Sequence, residues 1–97
     1  MTSEAKSDLV VAIAAEIGVP APRMSTGSTE PREIFELVNE AFGLGVSGTK
    51  PELARGIVEA SGEPWLADYE SRGGTVTKSG LHAVLQAVRF FLGRLAS

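Results

Sequence analysis

Lys78, His82, Gln86 and Arg89 follow one another at spacings of four, four and three residues. At about 100° per residue such a spacing stacks them on one stripe of a helix. A row of cation, imidazole and amide can reach phosphates and base edges, which makes this helix a candidate recognition element. The local charge agrees: after Glu70 no acidic side chain follows, while Arg72, Lys78, Arg89 and Arg94 do. The same stripe also fits a solvated helix face, or a surface that meets an acidic helix of another molecule. Chemistry of the bond-breaking kind finds less support. His82 is the one histidine, cysteine is absent, and no carboxylate lies near His82 in sequence. A lone imidazole makes a poor triad and a poor transition-metal site. Glu33, Glu36 and Glu40 fall on the outer side of an amphipathic helix, where carboxylates are solvated. The expectation is a protein that is not an enzyme and needs no metal or cofactor.

Two loops add a second candidate chemistry. Ser25, Gly27 and Thr29 recur 46 residues later as Ser71, Gly73 and Thr75, each set just ahead of a helix. Amides and hydroxyls placed there could receive a phosphate, although the same residues also serve any tight turn or N-cap. Neither loop has the spacing of a triphosphate-binding P-loop.

The elements that position these residues come in two copies. Lys6, Leu9, Ile13, Gly18 and Pro20 return 44 residues later as Lys50, Leu53, Ile57, Gly62 and Pro64. Arg32, Phe35, Val38 and Ala41 return at an offset of 46 as Lys78, Leu81, Val84 and Ala87. Helix starts, apolar spacing and turn glycines are preserved together, the signature of a duplicated helix-loop-helix unit. The expected fold is all-α, with four main helices as two repeats in a pseudo-twofold relation, repeat 1 over about 4–43 and repeat 2 over about 48–95. At 97 residues the chain is a single domain, 1–97, with one core shared by both halves.

Helix one is expected over about 4–17, stopped by Gly18 and Pro20. Helix two follows with Thr29 as N-cap and Pro31 in the first turn, and buries Ile34, Phe35, Val38, Ala41 and Phe42. Thr49 and Glu52 form a capping box that opens helix three, whose inner face is Leu53, Ile57 and Val58. An extra helical turn is expected within 64–69, with Trp65 as a lid. Helix four runs from about Thr77 to Leu95 and places Leu81, Val84, Leu85, Val88, Leu92 and Leu95 on one face. Only 74–77 reads as a short extended piece. Phe90 lies nearly opposite Leu81 and Leu85, where it is covered by a further contact of its own chain or is open to a partner.

The stretch from Phe42 to Ile57, with Gly43, Gly45, Ser47, Gly48, Lys50, Leu53 and Arg55, resembles the SAP motif, a helix-extended-helix module of chromatin and DNA-repair proteins. The likeness spans about 34–60. It implies duplex-DNA binding, with Lys50 and Arg55 as phosphate contacts and the amides after Ser47 as an anion nest. Helix three departs from a purely basic face by carrying Glu52 and Glu59. Together with the loops and the helix-four stripe, the expected nucleic-acid contacts are Ser47, Gly48, Lys50, Arg55, Arg72, Lys78, His82, Gln86 and Arg89.

Net charge is −3, unevenly placed. Through Val46 three basic residues stand against seven acidic ones; from Ser47 onward six stand against five. Duplication was followed by opposite choices, because the helix-two positions matching Lys78, His82, Gln86 and Arg89 are Arg32, Glu36, Glu40 and Gly43. The leading expectation is a small DNA-binding module. The alternative is a protein-interaction or assembly domain that uses acidic helix two or the Phe90 face, with another protein as partner. The Met1–Glu4 start lacks a basic signal region, and the apolar run 9–15 is too short to span a bilayer, so a cytoplasmic protein with no membrane association is expected.

Overall fold

The computed structural model describes residues 6–23, 31–62, 69, 71–72 and 74–96. It is an all-α fold of four helices: α1 (Lys6–Ile17), α2 (Arg32–Phe42), α3 (Lys50–Ser61) and α4 (Lys78–Ala96). A two-stranded antiparallel ribbon, β1 (Ser71–Arg72) and β2 (Thr75–Val76), precedes α4, with Ser71 opposite Val76 and Arg72 opposite Thr75.

Each helix begins and ends for a local reason. The Thr49 hydroxyl accepts from the Glu52 N–H, and the Glu52 carboxylate accepts from the Thr49 N–H at 2.9 Å, so the expected capping box is formed. Gly43 and Gly62 close α2 and α3 in left-handed conformation, which lets their N–H groups turn back onto Glu40 and Glu59 carbonyls. The Thr77 hydroxyl accepts from the Gly80 N–H at 3.3 Å and opens α4. The start of α2 differs from expectation. Pro31, with extended backbone, is the N-cap itself and supplies no side-chain bond, so the helix begins after the proline; Thr29 lies outside the described residues. A proline needs no N–H partner at that point, which makes it a tolerable cap without a hydroxyl.

The principal helix contacts form a ring: α1 lies against α2 and α4, and α3 lies against α2 and α4. Exchanging α1 with α3 and α2 with α4 maps this set onto itself, as a pair of related helical hairpins requires. Matched positions also share roles. Leu9 and Leu53, Ile13 and Ile57, Phe35 and Leu81, and Val38 and Val84 are all buried in one core. Burying each such side chain contributes about 1.5–3 kcal/mol, so neither half would keep its apolar face dry alone.

The halves diverge at three places. Ala41 is exposed although its counterpart Ala87 is buried, because α2 ends one residue later while α4 continues. Leu95, expected inside, is 73% exposed: α4 outruns the helices beside it, and its last turns leave the core. The loop ahead of α4 is folded into the ribbon, with Val76 buried. The expected counterpart loop at 25–29, Trp65, and most of the expected turn at 64–69 lie outside the described residues. Within that turn Tyr69 is described, and its hydroxyl donates to the Pro51 carbonyl at 2.8 Å, tying the connection to the first turn of α3. Among the described residues no helix is long and apolar enough to cross a membrane.

Candidate nucleic-acid interface

The connector between α2 and α3 is where the SAP-like residues sit. After the Gly43 turn the Leu44 N–H still donates to the Asn39 carbonyl at 3.1 Å; the chain then leaves the helix, and the Asn39 side chain holds it at Val46. The Asn39 amide donates to the Val46 carbonyl at 3.0 Å and accepts from the Val46 N–H at 3.1 Å. Val46 in turn fills the space above Gly56, where a Cβ would stand 2.7 Å from Val46 Cγ1. Only a glycine on α3 admits the connector this close.

Gly48 then turns the chain into α3. Its φ of 121° is accessible mainly to glycine, and a Cβ there would meet the Glu52 carboxylate at 2.9 Å. Ser47, Gly48 and Thr49 are exposed, and Lys50 is the first residue of α3. The Glu52 carboxyl is held below its ordinary value of 4.5, first by the Thr49 backbone N–H and then by the Thr49 hydroxyl. This places a fixed carboxylate beside the helix entrance. An arriving phosphate meets the positive end of α3 and Lys50, but also that negative charge.

The cations divide into two groups. Arg55 bonds Glu59 one turn on, at 3.2 Å, and Arg89 crosses to α1 and bonds Glu16 at 2.8 Å. Both are thus engaged by carboxylates of their own chain. Lys78, His82 and Gln86 are exposed along α4, as their spacing implies. Arg72 lies in β1, paired through its backbone with Thr75, and Ser71 pairs with Val76, so the described part of this stretch is a hairpin; Gly73 lies outside the described residues. On α2 the matching Arg32 bonds Glu36 at 3.1 Å, and Glu33, Glu36 and Glu40 are exposed.

One feature escaped sequence reasoning. Where α2 ends beside the last turns of α4, Phe42, Leu44, Phe91, Arg94 and Leu95 line an open groove of about 390 Å3. Phe42 and Phe91 pack there with ring centroids 5.0 Å apart. Phe90 stands on the neighbouring side, edge-on to Phe91, with the Arg94 guanidinium 5.7 Å above its ring. The sequence signal was Leu95 itself, an apolar residue two turns past the last buried position of α4. Among the described residues no group of three His, Asp or Glu side chains is placed to hold a metal ion. Comparison of the chain with protein-family models, with curated proteins and with solved structures finds no match.

Proposed function

We propose that this chain is a small non-catalytic DNA-binding module, contacting duplex phosphates at the entrance of α3 and along the exposed stripe of α4. The observation that carries the reading is the connector itself. Asn39 holds it extended, Gly48 turns it, and Lys50 is left at the head of α3 beside exposed Ser47 and Gly48. A helix–extended–helix path with this outcome is what the SAP resemblance implies. The second support is the carboxylate-free length of α4 that bears Lys78, His82 and Gln86. Arg55 and Arg89 would each leave an ion pair to reach a phosphate.

The test is a titration of the isotope-labelled protein with a short duplex at low salt. Amides of residues 47–50 and 78–86 shift, and the affinity falls steeply with salt, the slope growing by about 0.9 for every phosphate neutralised. Lys50→Glu and Lys78→Glu each flatten that slope. Absence of shifts at millimolar duplex, or shifts insensitive to salt, removes the proposal.

The alternative, a protein-interaction domain, rests on the exposed acidic row of α2. It predicts a concentration-dependent mass that Glu36→Lys abolishes; an unchanged monomer mass at millimolar concentration counts against self-association through that row.

A further inference from the structure

α2 and α4 carry opposite charge on their outward faces. The exposed row of α2 is Glu33, Glu36 and Glu40, with Arg32 as the single cation of that helix; the exposed row of α4 is Lys78, His82, Gln86 and Arg89, and no carboxylate occurs along that helix. Part of this charge is engaged within the chain, Glu36 by Arg32 and Arg89 by Glu16. The signs survive that pairing. Three carboxylates and one guanidinium leave α2 at −2, while Lys78 and Arg89 with the Glu16 partner leave the α4 side at +1.

The placement of the two rows restricts what they can meet. α2 and α4 are opposite members of the helix ring, each lying against α1 and α3, so their exposed rows sit on opposite sides of the bundle. A twofold dimer cannot join acidic row to basic row twice over, because a contact that uses α2 of one copy leaves the α4 row of that copy facing away. Pairing either row with itself sets like charges together, which is unfavourable. The contact that satisfies both signs is heterologous, and it repeats from copy to copy.

From this arrangement we infer that the chain associates head to tail, with the acidic α2 row of one copy lying on the Lys78–Arg89 stripe of α4 in the next. This association rests on the reading of α2 as an interaction surface, and its occupant is a second copy of the chain. Each contact leaves one row open at either end, so growth does not close at a dimer. The same α4 stripe takes duplex phosphates in the leading reading, so neighbour and duplex compete for it.

Sedimentation of the whole chain at low salt, taken to millimolar protein, shows a mass that passes twice the monomer value without a plateau. Salt at about 1 M, where the Debye length is about 3 Å, returns the monomer. Two double variants separate the ends. Glu36→Lys with Glu40→Lys disables the acidic row, and Lys78→Gln with Arg89→Gln disables the basic row while leaving Glu16 uncompensated beside it. All four positions are exposed, so the far-ultraviolet circular dichroism of both variants matches wild type. Each variant alone stays monomeric, and an equimolar mixture forms a one-to-one dimer and nothing larger. In that mixture the first variant shifts amides within 78–89 and the second within 33–40. A wild-type mass that halts at the dimer, or variants that fail to pair when mixed, overturns the head-to-tail order and leaves α2 as an interaction surface. A monomer mass at millimolar protein overturns both, and leaves the duplex titration to stand or fall separately.

Discussion

Asn39 grips Val46 by both ends of its amide, donating to the carbonyl and accepting from the N–H of the same residue. The pair imitates one rung of a sheet, made between a helix side chain and an extended strand of backbone. Its effect is to pin the connector that carries Ser47, Gly48 and Lys50. In the second repeat the matching position is Leu85, which is buried in the core. One ancestral position thus became a backbone clamp in one copy and a core residue in the other.

Asn39→Ala removes both bonds and leaves the half-buried Val46 backbone without partners. The cost expected is about 1–3 kcal/mol, seen as a lowered denaturant midpoint. Hydrogen exchange at the Val46 amide should accelerate more than exchange in α1. Asn39→Asp keeps the acceptor but loses the donor, and should fall between the two. A midpoint unchanged by Asn39→Ala would mean that the clamp holds nothing that matters.

Which parts of this architecture could be read from residues alone follows from how local each one is. The capping box of α3 needs only Thr49 and Glu52, three apart, so it was legible, as were the core stripes Leu9, Ile13 and Leu53, Ile57. The start of α2 was placed too early because a proline is acceptable both at the cap and in the first turn of a helix. Leu95 read as core because its spacing matches Leu81 and Val88; spacing cannot tell that α4 outlasts the helices it packs on. The Arg89–Glu16 pair spans 73 residues, and no pattern in sequence announces a partner that far away.

The close fit of Val46 over Gly56 makes a coupled prediction. Gly56→Ala places a methyl group 2.7 Å from Val46 Cγ1, and overpacking of that kind costs about 1–3 kcal/mol. Val46→Ala opens the space. The double variant should therefore recover part of the loss, with a positive coupling in a double-mutant cycle of thermal or urea denaturation. Additive losses would show that the connector moves aside and that the contact is not specific.

The Glu52 carboxyl has its pKa lowered in the folded protein, so it stabilises the fold in the charged form. That stabilisation is complete above the unfolded value of 4.5 and is lost as pH falls through the lower folded value. Glu52→Gln keeps an acceptor for the Thr49 N–H but has no charge to titrate. Wild type should melt above this variant at neutral pH, and the gap should close as the pH is taken into the acid range. A gap that stays constant with pH would place the effect in packing instead of charge.

Glu16 and Arg89 provide the last prediction, because their ion pair serves two ends. It joins the first helix of one repeat to the last helix of the other, and it keeps a cation of the α4 stripe occupied. Both side chains are partly exposed, so removing the pair should cost no more than about 1 kcal/mol. If α4 lies along a DNA backbone, Glu16→Gln releases Arg89 and removes a negative charge near the path of the phosphates. Affinity for duplex at low salt should then rise, and the salt dependence should steepen by roughly one further phosphate contact. Arg89→Gln should lower the affinity below wild type, since it leaves the Glu16 carboxylate uncompensated beside the same path. An increase in affinity with no steeper salt dependence would trace the gain to lost repulsion and not to Arg89.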